Sequence, residues 1–237
     1  MPLLTMSRPD DSSSAHRNRL ATEAYAALKA SISSGELQPG ERLYRTILAR
    51  QLKMSRTPVR DALQRLVNEG LAEAGPDGGV YVAVLSVKDI RSLEQTNRAL
   101  QSLAAQLAAS EGSETDMAKL EEMMARMEAC AAAQDSSGWI AVDYEIHRHI
   151  FQMAGNRWLS KFLLQMEPLI SRVRFIDIRR PSRMEESARE HRAVVEAIKG
   201  RDAEAARQAM YDHLVRTEQN LIEILESIVV PLKGDRL

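Results

Sequence analysis

The sequence predicts a mainly α protein in two parts: a small N-terminal unit of three helices and a β-hairpin, then a C-terminal all-α antiparallel helical bundle. Three observations carry this reading. Apolar residues recur at three- and four-residue spacing over most of the chain. Strand-like alternation is confined to residues 71–84. The composition is 44% hydrophobic but only 4% aromatic, which favours helix over sheet. A length of 237 residues allows one large or two small domains, at roughly 100–200 residues each.

Several classes are excluded by composition. No stretch approaches the roughly 18 apolar residues that read as a membrane span. The start is polar, carries Asp10 and Asp11, and lacks the features of a signal peptide, so a cytoplasmic, globular protein is expected. Cys130 stands alone and can form no disulfide within the chain, in keeping with a reducing compartment. The whole chain carries 32 basic and 33 acidic residues, which by itself argues against a nucleic-acid partner. The charge is segregated, however. Between Arg42 and Arg65 there are seven basic residues and one acid, Asp61. Such a run suits contact with phosphates, and equally a solvated helix face.

The order of residues around those charges decides between the two. Residues 1–17, rich in Ser, Asp and Pro, read as a disordered leader, and residues 18–85 as the first domain. From about Ala21, Ala24, Leu28 and Ile32 recur at helical spacing until Gly35. Leu37 to Gly40 is a turn signal, and Ile47, Leu48, Ala49 and Leu52 make a second short helix. Ser55 is placed as the N-cap of a third helix, Thr57 to Glu69, which buries Val59, Leu63 and Leu66 and ends at Gly70. Only Lys53 and Met54 join the second and third helices, the spacing of a helix-turn-helix. Leu71–Ala74 and Val80–Val84 around Gly75-Pro76-Asp77-Gly78-Gly79 form a hairpin, completing a winged helix-turn-helix. Arg56, Thr57, Arg60 and Gln64 project from the start and outer face of its third helix, where side chains and free N–H groups meet phosphates and base edges.

At Gly35-Glu36-Leu37-Gln38-Pro39-Gly40, Leu48-Ala49, Ser55-Arg56-Thr57-Pro58-Val59-Arg60-Asp61-Ala62-Leu63, Leu66, Glu69-Gly70-Leu71 and Gly79-Val80-Tyr81-Val82, the sequence resembles the GntR family of bacterial transcription regulators. The resemblance implies that Arg56, Thr57 and Arg60 contact double-stranded DNA and that Gly78 and Gly79 of the wing enter the minor groove. Arg45, Thr46, Ser55 and Pro58 complete the expected DNA-binding set. Arg45 departs from the acid that is usual in the family and adds a positive charge near the backbone.

Residues 86–232 read as the second domain. Helices are expected at 87–110, 114–133, 137–154, 157–179, 183–199 and 202–229, with breaks at Gly112, 136–138, Gly155-Asn156, Pro181 and Gly200. Pro168 predicts a kink near Gln165. Asp143 and His147 lie one turn apart on one face, and His191 and His213 fall on two later helices among apolar neighbours. A bundle can turn these four inward, and three imidazoles with a carboxylate suit a divalent metal ion, Zn first, with Ni or Mn as alternatives. Each histidine alone also fits an ordinary core position, and Asp143 with His147 an intrahelical hydrogen bond. His149, two positions from His147, faces elsewhere.

This set of four, with Gly155-Asn156, Glu190-His191 and Arg98 with Leu100, resembles the ligand-binding (FCD-type) domain of the FadR branch. Ile146 and Gln101 depart from it, an aromatic and a glutamate being usual there. The resemblance implies a metal that holds the carboxylate of a small organic acid effector. Arg98, Arg172 and Asn156 are the candidate effector-binding residues, with Arg98 equally able to pair with Glu94 one turn away. Leu103, Leu107, Met153 and Phe175 are candidate apolar lining.

The expected protein is a ligand-responsive repressor of a catabolic operon, a homodimer on a pseudo-palindromic operator, joined through the bundle or the first helix. No phosphate loop, cysteine site or serine nucleophile elbow is present, so an enzyme is not expected. Two alternatives remain at this level: a metal-dependent hydrolase-like bundle fused to a DNA-binding module, and a purely structural metal site.

Overall fold

A computed structural model describes residues 11–84, 86–177 and 182–233, with side chains at 15–84, 86–171 and 182–224. The chain divides into two compact units, Met1–Val84 and Leu85–Leu237.

The first unit opens with α1 (Asp11–Ser33), on which Ala24, Leu28 and Ile32 are buried at four-residue spacing. The helix begins ten residues before the expected Ala21, which takes residues 11–17 out of the predicted leader; residues 1–10 lie outside the described residues. Composition pointed to disorder, yet no Pro or Gly follows Pro9 until Gly35, so nothing stops the helix from extending backwards through a polar stretch.

α2 (Arg45–Gln51) and α3 (Arg56–Asn68) form the helix-turn-helix. The turn closes α2 with a paired motif: Met54 N–H donates to Ala49 O at 2.9 Å and Lys53 N–H to Arg50 O at 3.2 Å. Lys53 occupies the left-handed position at φ 54°, where glycine is usual. α3 ends on the same motif with Gly70 at φ 73°. Its inner stripe, Val59, Ala62, Leu63 and Leu66, is buried, and α3 packs on α1 and α2.

β1 (Ala72–Ala74) and β2 (Val80–Val82) pair antiparallel, Glu73 opposite Tyr81. The segment read as a bare turn also joins this hairpin. Gly40 N–H donates to Val82 O, Val82 N–H to Glu41 O, and Leu43 N–H to Val80 O. The wing is thereby fastened along β2 to the chain that enters α2.

The second unit contains α4 (Val87–Glu111), α5 (Glu114–Ala132), α6 (Ser136–Met153), α7 (Arg157–Asp177), α8 (Arg183–Lys199) and α9 (Ala203–Lys233). Ser86 with Asp89, and Ser113 with Asp116, close capping boxes that fix where α4 and α5 begin. Ala104, Ala105, Ala108 and Ala109 of α4 are fully buried, small enough for close helix packing; the most extensive partner of α4 is α9. α7 runs on through Pro168 to Asp177. The expected break at Pro181 lies outside the described residues. At the end of α8, Gly200 stays right-handed and Arg201 takes the left-handed position at φ 58°. Its guanidinium holds Gly112 O at 2.6 Å and Glu114 at 2.8 Å.

Candidate functional site

The first unit presents α3 by its open end. Ser55 has N-cap backbone angles but its side chain makes no capping bond, so the first N–H groups of α3 remain available to an anion. Arg45, Thr46, Ser55, Arg56, Thr57 and Arg60 are all exposed. Pro58 is not: it is buried with Val59, in the first helical turn, where a missing N–H costs no hydrogen bond. Its expected place among DNA-contacting residues is therefore corrected to a core position. Among the described residues no ion pair holds Arg45 or Arg56, whereas Arg60 lies 3.0 Å from Asp61 and Arg65 2.8 Å from Glu69. A cleft of 430 Å³ is lined by Arg42, Tyr44, Arg45, Arg60, Gln64 and Gly79 among others, between α3 and the wing. The wing tip is built on Asp77, which pairs with Arg42 at 2.9 Å and accepts from Tyr81 Oη at 2.9 Å and Gly79 N–H at 3.0 Å. The Gly79 and Tyr81 hydrogen bonds hold its carboxyl below the usual aspartate range. Gly78, at φ 72°, has open space around it.

In the second unit α6 supplies Asp143 and His147, α8 supplies His191 and α9 supplies His213, all four buried. The three histidines bring ring nitrogens within 4.8 Å of one another. His147 Nε2 and His191 Nε2 are 3.1 Å apart, and Asp143 Oδ1 is 3.7 and 3.1 Å from them. Around an ion with bonds of 2.0–2.1 Å, neighbouring ligands sit about 2.9–3.3 Å apart, whether four or six are bound, so the two 3.1 Å spacings fit.

The outward nitrogens fix the ring chemistry. His191 Nδ1 donates to the main-chain oxygen of Ser187 at 2.8 Å, His213 Nδ1 to Glu190 Oε2 at 2.7 Å, and His147 Nδ1 to Gln101 Oε1 at 2.5 Å. Each of these oxygens accepts, so each Nδ1 carries the proton and each Nε2 keeps its lone pair, the form that ligates metal. Lone pairs of two imidazoles facing at 3.1 Å repel unless a cation lies between them. Burial, reinforced by His191, lowers His213 to about 4, which keeps it a neutral ligand at neutral pH. Burial works against the charge of Glu190, but the His213 hydrogen bond and Arg183 outweigh it and hold the carboxyl at about 2. Arg183, fully buried, grips both Glu190 oxygens at 3.1 Å and reaches Thr217 at 3.0 Å. The donor set therefore fits a divalent cation, with Asp143, His147, His191 and His213 as the residues to hold it.

Two of the candidate effector residues make contacts of their own. Asn156 is exposed and caps α7, its Oδ1 accepting from Trp158 and Leu159 N–H at 3.1 Å; that expectation is corrected, because the first turn of α7 takes up its side chain. Arg98 pairs with Glu218 of α9 at 2.8 Å and lies over the Tyr211 ring, not with Glu94. Arg172 and Phe175 lie outside the described side chains. Leu103 is 40% exposed, against a lining role, and Met153 belongs to the core. His149 faces away, bonded to Asp116 O at 3.0 Å. Arg183, Ser187 and Glu190 were missed as supports of the histidines, although Arg183 and Glu190 are seven apart, two turns along one face of α8.

A basic, open-ended helix-turn-helix with a wing, carried on one chain with a helical domain, defines a DNA-binding regulator. Residues 20–82 match the bacterial regulatory proteins of the gntR family, and residues 93–216 match the FCD domain. An uncharacterized HTH-type transcriptional regulator of Bacillus subtilis, YdhC, is 30% identical over 203 residues, spanning 85% of this chain and 91% of the relative. The transcriptional repressor RspR of Escherichia coli is 24% identical, covering 85% and 89%. The solved structure of E. coli McbR/YncC superposes with a TM-score of 0.74 at 24% identity, covering 88% of this chain and 98% of that one. The chain thus belongs to the gntR family with a C-terminal FCD domain: it is a DNA-binding transcriptional regulator and not an enzyme, which removes the hydrolase alternative. Among the described residues no helix is long and apolar enough to cross a membrane.

Proposed function

We propose that this regulator is a FadR-type, metal-dependent repressor that works as a cytoplasmic homodimer and answers to a small organic acid. The observation that carries the metal reading is that His147, His191 and His213 cluster with each Nδ1 set against an oxygen atom, the contact that protonates Nδ1 and leaves Nε2 free to ligate. Zn is the leading ion, since three imidazoles and one carboxylate are a borderline donor set, with Ni and Mn next. When bound, the ion supplies Lewis acidity toward an acid's carboxylate at its open coordination positions. Two further features support a ligand nearby. The indole N–H of Trp139 is buried without a hydrogen-bond partner, and its ring lies edge-on to His191 at 6.3 Å; an oxygen of the acid is a fitting acceptor. A cleft of 440 Å³, lined by Glu186, Arg189, Glu190, Ala193 and Arg216, adjoins the histidines through Glu190. Arg98 and Arg172 remain candidate anion partners, Arg98 in exchange for Glu218.

On DNA, Arg56, Thr57 and Arg60 of α3 are the reading residues, Arg45, Thr46 and Ser55 bind the phosphate backbone, and Gly78 and Gly79 enter the minor groove. Dimerisation sets two α3 helices on a pseudo-palindromic operator. The acid shifts DNA affinity only through unequal affinity for two arrangements of the dimer. Gel shifts on the operator next to the gene test the DNA reading: Arg56→Ala and Arg60→Ala abolish the shift, and unaltered shifts overturn it. Thermal unfolding tests the sensor reading. Zinc raises the midpoint and one class among sugar acids, hydroxy acids and dicarboxylates raises it further. A zinc effect that no acid extends means a purely structural metal.

A further inference from the structure

Behind His147 lies a buried polar stripe that the metal reading does not account for. Glu94, Asn97 and Gln101 fall at positions i, i+3 and i+7 of α4, one face of the helix, and none is more than 1% exposed. They form a chain with a direction. Asn97 Nδ2 donates to Glu94 Oε2 at 3.1 Å, Gln101 Nε2 donates to Asn97 Oδ1 at 2.5 Å, and Gln101 Oε1 faces His147 Nδ1 at 2.5 Å.

We infer that Glu94 sets the tautomer of His147 through this relay and is a positioning residue for the metal centre, two helical turns from the amide that touches the ring. Asn97 turns its NH₂ toward Glu94 Oε2 and its oxygen toward Gln101, the arrangement that an ionised Glu94, able only to accept, imposes. Gln101 must then give its NH₂ to that oxygen and present its own oxygen to His147, whose Nδ1 must carry the proton. Reversing either amide sets oxygen against oxygen in a buried site. In water a neutral imidazole prefers its proton on Nε2, the nitrogen needed here as a ligand, so the ring has to be held in the less common form. His191 and His213 achieve this with oxygens that accept directly, Ser187 O and Glu190, the Ser187 hydroxyl lying a further 3.3 Å from His191 Nδ1. For His147 the acceptor is a carboxamide, which could present either end, and its orientation has to be imposed from further back. The relay requires Gln at 101, because a glutamate there has no N–H to give Asn97.

The inference rests on the metal reading for its purpose but is tested without it. Histidine side chains are labelled with ¹⁵N in the full-length, metal-free protein, and the ring nitrogens of His147 are assigned by long-range correlation in wild type, Glu94→Gln and Gln101→Leu. Zinc affinity is measured in parallel by competition with a chelator. Wild type should show a protonated Nδ1 and a pyridine-type Nε2 at His147. Glu94→Gln, isosteric and able to accept or donate, should show both tautomers and bind zinc about tenfold more weakly, with the His191 and His213 rings unchanged. Gln101→Leu should lose the preference altogether. A His147 ring that stays in one form in Glu94→Gln overturns the relay, whatever happens to zinc affinity. Failure of all three proteins to bind zinc overturns the metal reading instead, and the ring signals still decide the relay.

Discussion

His191 is the residue on which the cluster turns. Its ring centroid lies 5.1 Å from His147, 4.3 Å from His213 and 6.3 Å from Trp139, and its Nε2 is 3.1 Å from both Asp143 and His147. Replacing it by alanine removes one ligand and the packing between the other two. His191→Ala should abolish the zinc-induced rise in unfolding midpoint, seen by calorimetry with and without chelator, and leave operator binding by the metal-free protein intact. Trp139→Phe should keep the zinc effect and weaken binding of the responsive acid about tenfold, the loss of one buried hydrogen bond of about 1–1.5 kcal/mol, measured by titration calorimetry. The four residues of the cluster were legible in the sequence because Asp143 and His147 are spaced by one helical turn, His191 and His213 sit among apolar neighbours, and the family resemblance joins them as one candidate ligand set. Their acceptors were not. Gln101 lies on a helix 46 residues from His147 and Glu190 on another 23 residues from His213, and no local pattern announces a contact made by bundle packing. Asn156 misled for the opposite reason: an Asn at a helix start has a local use as a cap, and the local use prevails.

Helix boundaries were legible to within a few residues wherever a cap or breaker marks them, as at Ser86, Ser113 and Gly70. They were missed at the start of α1, where no breaker exists. At Gly200 the expected break is met, α8 closing at Lys199, and the left-handed position just beyond it falls on Arg201, whose side chain is anchored on Gly112 and Glu114. Lys53 has no such anchor among the described residues. Its left-handed backbone in the helix-turn-helix costs about 1 kcal/mol against glycine, so Lys53→Gly should stabilise the first unit by about that amount in urea unfolding while removing one positive charge from the DNA face. Asn156→Ala tests the cap in the same way. It should destabilise the protein by about 1 kcal/mol and leave the affinity for any acid unchanged, whereas a loss of acid binding would restore Asn156 to the effector site.

Across the whole molecule, the balance of 32 basic and 33 acidic residues conceals a local excess, and the structure trims that excess further. Of the seven basic residues from Arg42 to Arg65, Arg42, Arg60 and Arg65 are paired with Asp77, Asp61 and Glu69. Arg45, Arg50, Lys53 and Arg56 are in no ion pair among the described residues. With Arg56 reading bases, if Arg45, Arg50 and Lys53 each meet one phosphate, a dimer makes six such contacts, and the logarithm of operator affinity should fall with the logarithm of salt at a slope of about −5. Arg45→Ala should lower that slope by about 2, one contact per half-site, with little change in preference among operator sequences, as measured by fluorescence anisotropy over a salt series. A change of sequence preference would move Arg45 from the phosphates to the bases.

The two tryptophans differ in a way that makes the protein its own reporter. Trp158 is half exposed, while Trp139 is buried against the His191 ring, and imidazole is a quencher whose strength depends on whether it is protonated or bound. With Trp158 changed to phenylalanine, the emission of a single indole would register events at the histidine cluster without any attached dye, turning a structural neighbour of the site into an optical readout of its occupancy.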